Sequence, residues 1–224
     1  RKVFLEDDSI LAHKSRIVKI FTLWKDKGMS LADVHGVNLV HLFKRTKLGL
    51  EPDREYLELL HEAGLTQIVF PVESGSQRVL DMYATGKLQL GKMNVVELVR
   101  VAKDVGILCP VNMMIGFPDE TEEEMLVSID LSRRLIQAGT DYVTFFIPIP
   151  FPGSLLYGIA VQKGYLRPDF DPDIMNWKNG VMENTTVPKE RIVELRDWAS
   201  EKVNPPHHVA RRLQESIGER WKEE

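Results

Sequence analysis

The sequence predicts a parallel α/β fold. Three observations carry this reading. Short apolar runs recur along residues 1–165, most of them ending in clustered acidic, glycine or proline residues; a helical pattern follows each run; and a glycine stops each helical pattern, at Gly28, Gly64, Gly106, Gly139 and Gly164. Strand, loop and helix thus alternate five times, the arrangement of parallel strands joined by right-handed crossovers. Five such units cannot close an eight-stranded barrel, but they form most of a partial one.

Taken in order, Lys2 to Leu5 reads as a strand ending at Glu6-Asp7-Asp8-Ser9. A helix from about Ile10 to Asp26 presents Ile10, Leu11, Ile17, Ile20, Phe21 and Trp24. The next strand falls within Val37 to Phe43 and ends at Lys44-Arg45; Asp53 then caps a helix carrying Tyr56, Leu57, Leu59 and Leu60. Gln67 to Val72 is a strand in which Pro71 marks an edge or an end, and it runs into Glu73-Ser74-Gly75-Ser76 and a short helix. A helix over Lys92 to Val105 leads to the apolar run Ile107 to Ile115, which reads as a strand buried on both faces. That run breaks at Gly116 and Pro118, where Thr121 can cap a helix whose first turn, Glu122 to Glu124, suits the positive end of the helix dipole. Tyr142 to Ile147 is the last strand, followed by a Pro-Gly segment over 148–153 and a helix from Ser154 to Gln162.

Beyond Gly164 the pattern fades. Arg167 to Asn184 is an irregular Pro-, Asp- and Asn-rich stretch with Trp177 as an anchor, Pro188 to Val203 is an amphipathic helix, and Pro205-Pro206 precede a charged terminal helix. The expected division is a barrel portion over 1–165 and a helical extension over 166–224, lying over or beside the mouth.

The composition, 43% hydrophobic and 28% charged, supports a sizeable core. A net charge of −4 gives no general attraction to nucleic acid or to an anionic membrane. No apolar run approaches the ~20 residues of a bilayer span. The single cysteine, Cys109, excludes an internal disulfide, fits a reducing cytoplasm, and cannot by itself hold a cysteine-rich metal or iron–sulfur site. The chain lacks an initiator Met and opens on a strand, so it is expected to be part of a longer protein.

In a parallel sheet the strand-end loops share one side. They gather Glu6, Asp7 and Asp8, then Lys44 and Arg45, then Glu73, Ser74 and Ser76, then Gly116, Asp119 and Glu120, and finally the 148–153 segment. Such a rim suits a polar small molecule carrying an amine and a ribose. On the residues alone the same rim suits a metal-dependent lyase or isomerase, with Asp7, Asp8 and Glu73 on a divalent ion, or a non-catalytic binding module. Asp7 and Asp8 read equally as ligand groups or as a helix cap.

Phe4-Leu5-Glu6-Asp7-Asp8, Val72-Glu73-Ser74-Gly75-Ser76, Met114-Ile115-Gly116-Phe117-Pro118-Asp119-Glu120-Thr121 and Pro148-Ile149-Pro150-Phe151-Pro152-Gly153-Ser154 together resemble successive strand-end motifs of the radical S-adenosylmethionine (radical SAM) enzymes, most closely the branch with an upstream cobalamin-binding domain. The resemblance covers about 1–165 and implies a partial TIM-like (βα) barrel, strands two to six of the family's fold, that works with S-adenosylmethionine and a 4Fe-4S cluster. It implies radical chemistry started by reductive cleavage of S-adenosylmethionine, with B12-dependent methyl transfer among the outcomes, an unknown small-molecule substrate, and an electron donor such as flavodoxin or ferredoxin. By position it puts Glu6, Asp7 and Asp8 at the methionine amino group, Glu73 and Ser74 near the ribose or methionine end, and the Ile115-Gly116 backbone at adenine, with Pro118 and Glu120 shaping the loop. The family's Cys-x-x-x-Cys-x-x-Cys loop is absent, its expected place is upstream of Lys2, and the chain alone is expected to be inactive.

Other residues read as structural. Cys109 is a core thiol, Met113-Met114 are packing residues, and His35, His41, His207 and His208 are core or surface histidines.

Overall fold

A computed structural model of the chain describes residues 2–7, 10–84, 87–176, 179–211 and 214. Asp8, Trp177 and most of the charged terminal helix lie outside the described residues. In chain order the strands are β1 (Lys2–Leu5), β2 (Ser30–Asp33), β3 (Phe43–Thr46), β4 (Gly49–Pro52), β5 (Leu65–Gln67), β6 (Phe70–Glu73), β7 (Val111–Met114) and β8 (Val143–Phe146). The α-helices are α1 (Lys14–Trp24), α2 (Arg54–Glu62), α3 (Gln77–Tyr83), α4 (Val95–Val105), α5 (Glu122–Ala138), α6 (Leu155–Gln162) and α7 (Lys189–Val203).

Strands β1, β2 and β5 form one parallel sheet, and β6, β7 and β8 form another. The two meet at a kink. Leu108 N–H donates to the Thr66 carbonyl (2.8 Å), and Ile68 N–H donates to the Leu108 carbonyl (2.9 Å), so the segment holding β5 and β6 joins β2 on one side to β7 on the other. Every neighbour is thus the next parallel strand along the chain, as a partial barrel requires. The buried carboxylate of Asp33 fixes the kink, accepting from Val69 N–H at 2.9 Å and from Gly36 N–H at 3.1 Å. Pro71 is tolerated in β6 because β2 has ended there, and its ring packs against Gly36, whose φ is +98°.

Three expectations change. The second strand is Ser30–Asp33, and residues 37–42 instead form a loop with a 3₁₀ turn that buries Val37, Leu39 and Leu42. Pairing with β1 and β5 overrides the stronger apolar pattern of 37–43. Lys44 and Arg45 consequently sit on β3 of an antiparallel β3–β4 hairpin, not at the end of a barrel strand. Nor is the 107–115 run buried on both faces: Val111 and Met113 are buried, whereas Asn112 and Met114 are half-buried. The same alternation holds in β6 and β8, because helices cover one face while the inner face opens on the incomplete barrel. The first helix also starts late. A 3₁₀ turn over Ile10–Ala12 seats Leu11, and α1 begins at Lys14 with Ile17 and Phe21 buried one helical turn apart.

The caps read from sequence at Asp53 and Thr121 are present: Asp53 accepts from Tyr56 N–H, and Thr121 and Glu124 form a reciprocal capping box at α5. The structure adds two more, Ser76 accepting from Val79 N–H and Ser154 from Tyr157 N–H. Helices α2, α4 and α5 pack side by side along the outer face. Helix α6 does not cover β8; it packs with Tyr165 and Met182 in a small separate cluster. The helix over β8 is α7, which buries Ile192, Leu195, Ala199 and Val203 in the main core. At its end the Asn204 amide pairs with the open side of β8, accepting from Val143 N–H and donating to the Val143 carbonyl, both at 2.8 Å.

The amino-terminal ends of the strands are tied by Asp141, 1% exposed, which takes the Lys103 ammonium at 3.0 Å and Cys109 N–H at 2.8 Å. The Cys109 thiol is buried beside this carboxylate, and burial above all pushes its pKa up to about 12, which keeps it protonated and inert. No helix among the described residues is long and apolar enough to cross a membrane.

Candidate functional site

At the opposite, carboxyl-terminal ends of the strands lies a cavity of about 650 Å³. The loop after β2 (His35 to Leu39), the end of β6, helix α3, the β7 loop and the start of α6 enclose it. This is the face on which parallel α/β folds keep ligands.

Glu73 is the carboxylate that the cavity receives. It ends β6 with φ at +67°, a left-handed conformation that a non-glycine residue adopts only where surrounding structure enforces it. Burial raises its pKa to about 7, and the nearby Lys87 ammonium only partly offsets that rise. Near neutral pH this carboxyl can therefore accept or donate a hydrogen bond.

The residues after Glu73 turn away from the cavity. Ser74 is fully buried, its hydroxyl 3.2 Å from that of Ser128 on α5 and accepting from Ser76 N–H at 3.0 Å. Gly75 N–H donates to Ser128 Oγ at 2.9 Å, and a Cβ on Gly75 would lie 2.9 Å from both the Val127 carbonyl oxygen and Ser128 Cα. Because those atoms are backbone, they cannot yield. Gly75→Ala should cost about 2 kcal/mol by overpacking, read as a lowered urea midpoint with an unchanged slope. Ser76 and Arg78 both reach Glu124, whose carboxyl the arginine above all holds down at about 2, so α3 is clamped to α5.

The β7 loop is closed on itself by Glu120. This side chain is fully buried, and its Oε2 accepts from Gly116 N–H (2.7 Å) and Phe117 N–H (3.0 Å). Its Oε1 has no partner among the described residues, and burial, outweighing the two N–H donors, lifts the pKa to about 7. Gly116, with φ at +95°, lets α7 approach: a Cβ there would stand 2.4 Å from Ile192 Cγ2. Thr186 N–H donates to the Pro118 carbonyl at 2.9 Å. Asp119 gathers the hydroxyls of Tyr83 and Tyr165, both at 2.8 Å, and the Lys163 ammonium at 3.1 Å. Burial is the largest single influence on Asp119 and opposes ionisation, but these three donors together hold its pKa below the usual range.

Of the residues singled out in the sequence, the structure puts Glu73 in the cavity wall, while Glu6 is not a lining residue and pairs with one, His35, whose Nε2 lies 2.5 Å away. Asp7 is exposed on the loop after β1, and Asp8 lies outside the described residues. Ile115 is in the core and Gly116 faces α7, so the cavity wall of this loop is made by Met114 and Phe117. Tyr83, stacked on Phe117 with ring centroids 4.6 Å apart, and Leu80 form the α3 side. Their i, i+3 spacing in the helix after the Glu73 loop was the available signal for these two. Lys87 and the His35–Leu39 loop carried no such signal. Among the described residues no three His, Cys, Asp or Glu side chains converge as metal ligands.

The model of the radical SAM superfamily matches residues 19–132, just over half of the chain. The chain belongs to the radical SAM superfamily. Two curated relatives agree with that placement. One is an uncharacterized methyltransferase of Pyrococcus horikoshii, 26% identical over 88% of this chain and 37% of that protein. The other is the cytidylyl-2-hydroxyethylphosphonate methyltransferase of Streptomyces wedmorensis, 28% identical over 80% of this chain and 32% of that protein. The chain therefore spans about a third of the length of these relatives. Among solved structures, the radical S-adenosylmethionine methyltransferase TsrM from Kitasatospora setae, with cobalamin and a 4Fe-4S cluster bound, has the same fold at 16% identity. Its TM-score is 0.53, over 74% of this chain and 31% of that one. The radical SAM assignment accounts for the partial parallel barrel and for a ligand cavity at its carboxyl-terminal mouth.

The donors present fit one cofactor of this family and not the other. The cavity, with Glu73 and an aromatic wall, suits S-adenosylmethionine in size and polarity. A 4Fe-4S cluster needs several thiolates, and the one thiol here is buried at the far end of the strands.

Proposed function

We propose that this radical SAM chain is the S-adenosylmethionine-binding part of a methyltransferase. The cavity at the ends of β6, β7 and β8, in a chain whose curated relatives are named methyltransferases, supports the reading. Glu73 accepts from the ribose or methionine end of the cofactor, Met114 and Phe117 face adenine, and Glu6 and Asp7 approach the methionine ammonium. The adenine contact thus moves from the Ile115-Gly116 backbone to the neighbouring side chains, and Ser74 becomes a support for Glu73. S-adenosylmethionine bound there supplies the radical once it is cleaved. The cluster is held by cysteines outside these 224 residues, so the chain alone is inactive. Cobalamin, an electron donor of the flavodoxin or ferredoxin kind, and a reducing cytoplasm belong to the same proposal, as does a division into a barrel over 1–165 and an extension over 166–224.

The name of the Streptomyces relative favours an acceptor that joins a nucleotide to a phosphonate. Isothermal titration of the 224-residue chain with S-adenosylmethionine should give saturable binding, weakened about tenfold by Glu73→Ala, the loss expected for one hydrogen bond to a charged partner. Saturable binding that ignores Glu73, or no binding, would sink the reading.

A further inference from the structure

Helix α6 forms one wall of the cavity without joining the main core. Leu155 and Leu156 in its first turn line the cavity together with Ser154, while its packing is confined to the small cluster with Tyr165 and Met182. A glycine stands just outside each end. Gly153 has φ at +87° and Gly164 has φ at +70°, and a Cβ at either would meet nothing within 4 Å. Unpacked glycines of this kind absorb backbone rotation at little cost. Leu155 is 65% exposed although it lines the cavity, and Phe151 on the approach to α6 is exposed as well.

Asp119 ties this wall to a second one. Its Oδ1 accepts from the Tyr165 hydroxyl at 2.8 Å and its Oδ2 from the Lys163 ammonium at 3.1 Å, two donors that directly follow α6. The same Oδ2 accepts from the Tyr83 hydroxyl at 2.8 Å, at the end of α3. Tyr83 lines the cavity and stacks on Phe117, the two rings only 12° from parallel. Arg78, also on α3, donates to the Asp119 carbonyl at 2.7 Å and so braces the backbone that carries the carboxylate. One side chain thus sets two walls of the cavity, and it is not itself a lining residue.

We propose that Asp119 is a positioning residue for ligand binding, which latches the hinged helix α6 to the Tyr83–Phe117 wall and so fixes the width of the cavity around the ligand. The inference rests on the reading of the cavity as the ligand chamber. A wall that is already latched has less conformational freedom to lose when a ligand arrives, so each donor to Asp119 adds to affinity without touching the ligand. Tyr165 and Lys163 stand outside the cavity lining, which makes them probes of the latch alone.

Two readouts on the full 224-residue chain test this: affinity for S-adenosylhomocysteine by titration, and amide hydrogen exchange over residues 155–162 with and without that ligand. Tyr165→Phe should weaken binding about fivefold, as for one ordinary hydrogen bond, and Asp119→Asn about tenfold, as for bonds to a charged group. The ligand should slow exchange in α6 of the wild-type chain and slow it less in both variants. Because Tyr165 acts only through the carboxylate, the double variant should bind no worse than Asp119→Asn alone. Affinities within about twofold of wild type in both single variants, additive losses in the double variant, or unaltered exchange in α6 would each overturn the latch. Binding that still depends on Glu73 would then leave the chamber reading in place. A wild-type chain that binds no S-adenosylhomocysteine removes the chamber, and the latch with it.

Discussion

Replacing Gly116 by alanine should destabilise the chain by about 3 kcal/mol, combining overpacking with a left-handed backbone that alanine resists. The new methyl would sit 2.4 Å from Ile192 Cγ2 and 3.1 Å from its Cδ1, at a residue with φ of +95°. Both neighbours are buried, so the side chain of Ile192 has little room to withdraw. Thermal unfolding should register a fall of roughly 10 °C for a chain of this size. The two causes can be separated. Ile192→Ala removes both offending carbons at the cost of a small cavity, so the double variant should recover at least ~1 kcal/mol relative to the sum of the single changes. Strict additivity would show that α7 does not press on this loop.

The second large effect concerns Glu120 and is a matter of pH. Its carboxyl is fully buried, and burial lifts its pKa from the ordinary 4.5 to about 7 in the folded chain. The folded state therefore binds the proton more tightly than the unfolded one, and stability is lost as pH rises from about 4.5 through 7. The full loss is on the order of 3 kcal/mol. Carboxylates held low, Glu124 and Asp119 among them, act in a lower window, because their stabilisation disappears only below their unfolded values. Glu120→Gln keeps one acceptor for Gly116 and Phe117 N–H and removes the titration. Its unfolding free energy relative to wild type should thus increase from pH 5 to pH 8, by about 2 kcal/mol or more, the variant gaining stability on wild type. A difference flat with pH would show that Glu120 is not held near neutrality. Glu120→Ala strands two buried N–H groups and should cost about 3 kcal/mol at pH 6.

The alternation of apolar runs and glycine-stopped helices was enough to read a partial parallel barrel, because local periodicity and caps agree there with the tertiary pairing. The β2 segment was hidden because Ser30-Leu31-Ala32-Asp33 has little apolar signal of its own; its pairing with strands on either side makes it a strand. The neighbouring run over 37–43 has that signal and spends it on a buried loop. In the site, the Glu73 loop and the Gly116–Glu120 loop were legible as strand ends. Which way each side chain turned was not, since Glu73 faces the cavity only through a positive φ and Ser74 faces α5 through contacts some fifty residues away in sequence. Lys87 was invisible for the same reason: its place in the wall is set by how α3 ends, not by any spacing.

The amide of Asn204 has a consequence for how the chain behaves among its own copies. A terminal parallel strand exposes a ladder of unmatched donors and acceptors, a template on which a second molecule can add a strand. By holding both backbone groups of Val143, Asn204 imitates the first rung of a further strand and then ends it, since a side chain cannot continue the ladder. With α7 laid across the same strand, that border of the sheet is closed to recruitment, and solubility there depends on a helix about fifty residues downstream in the chain.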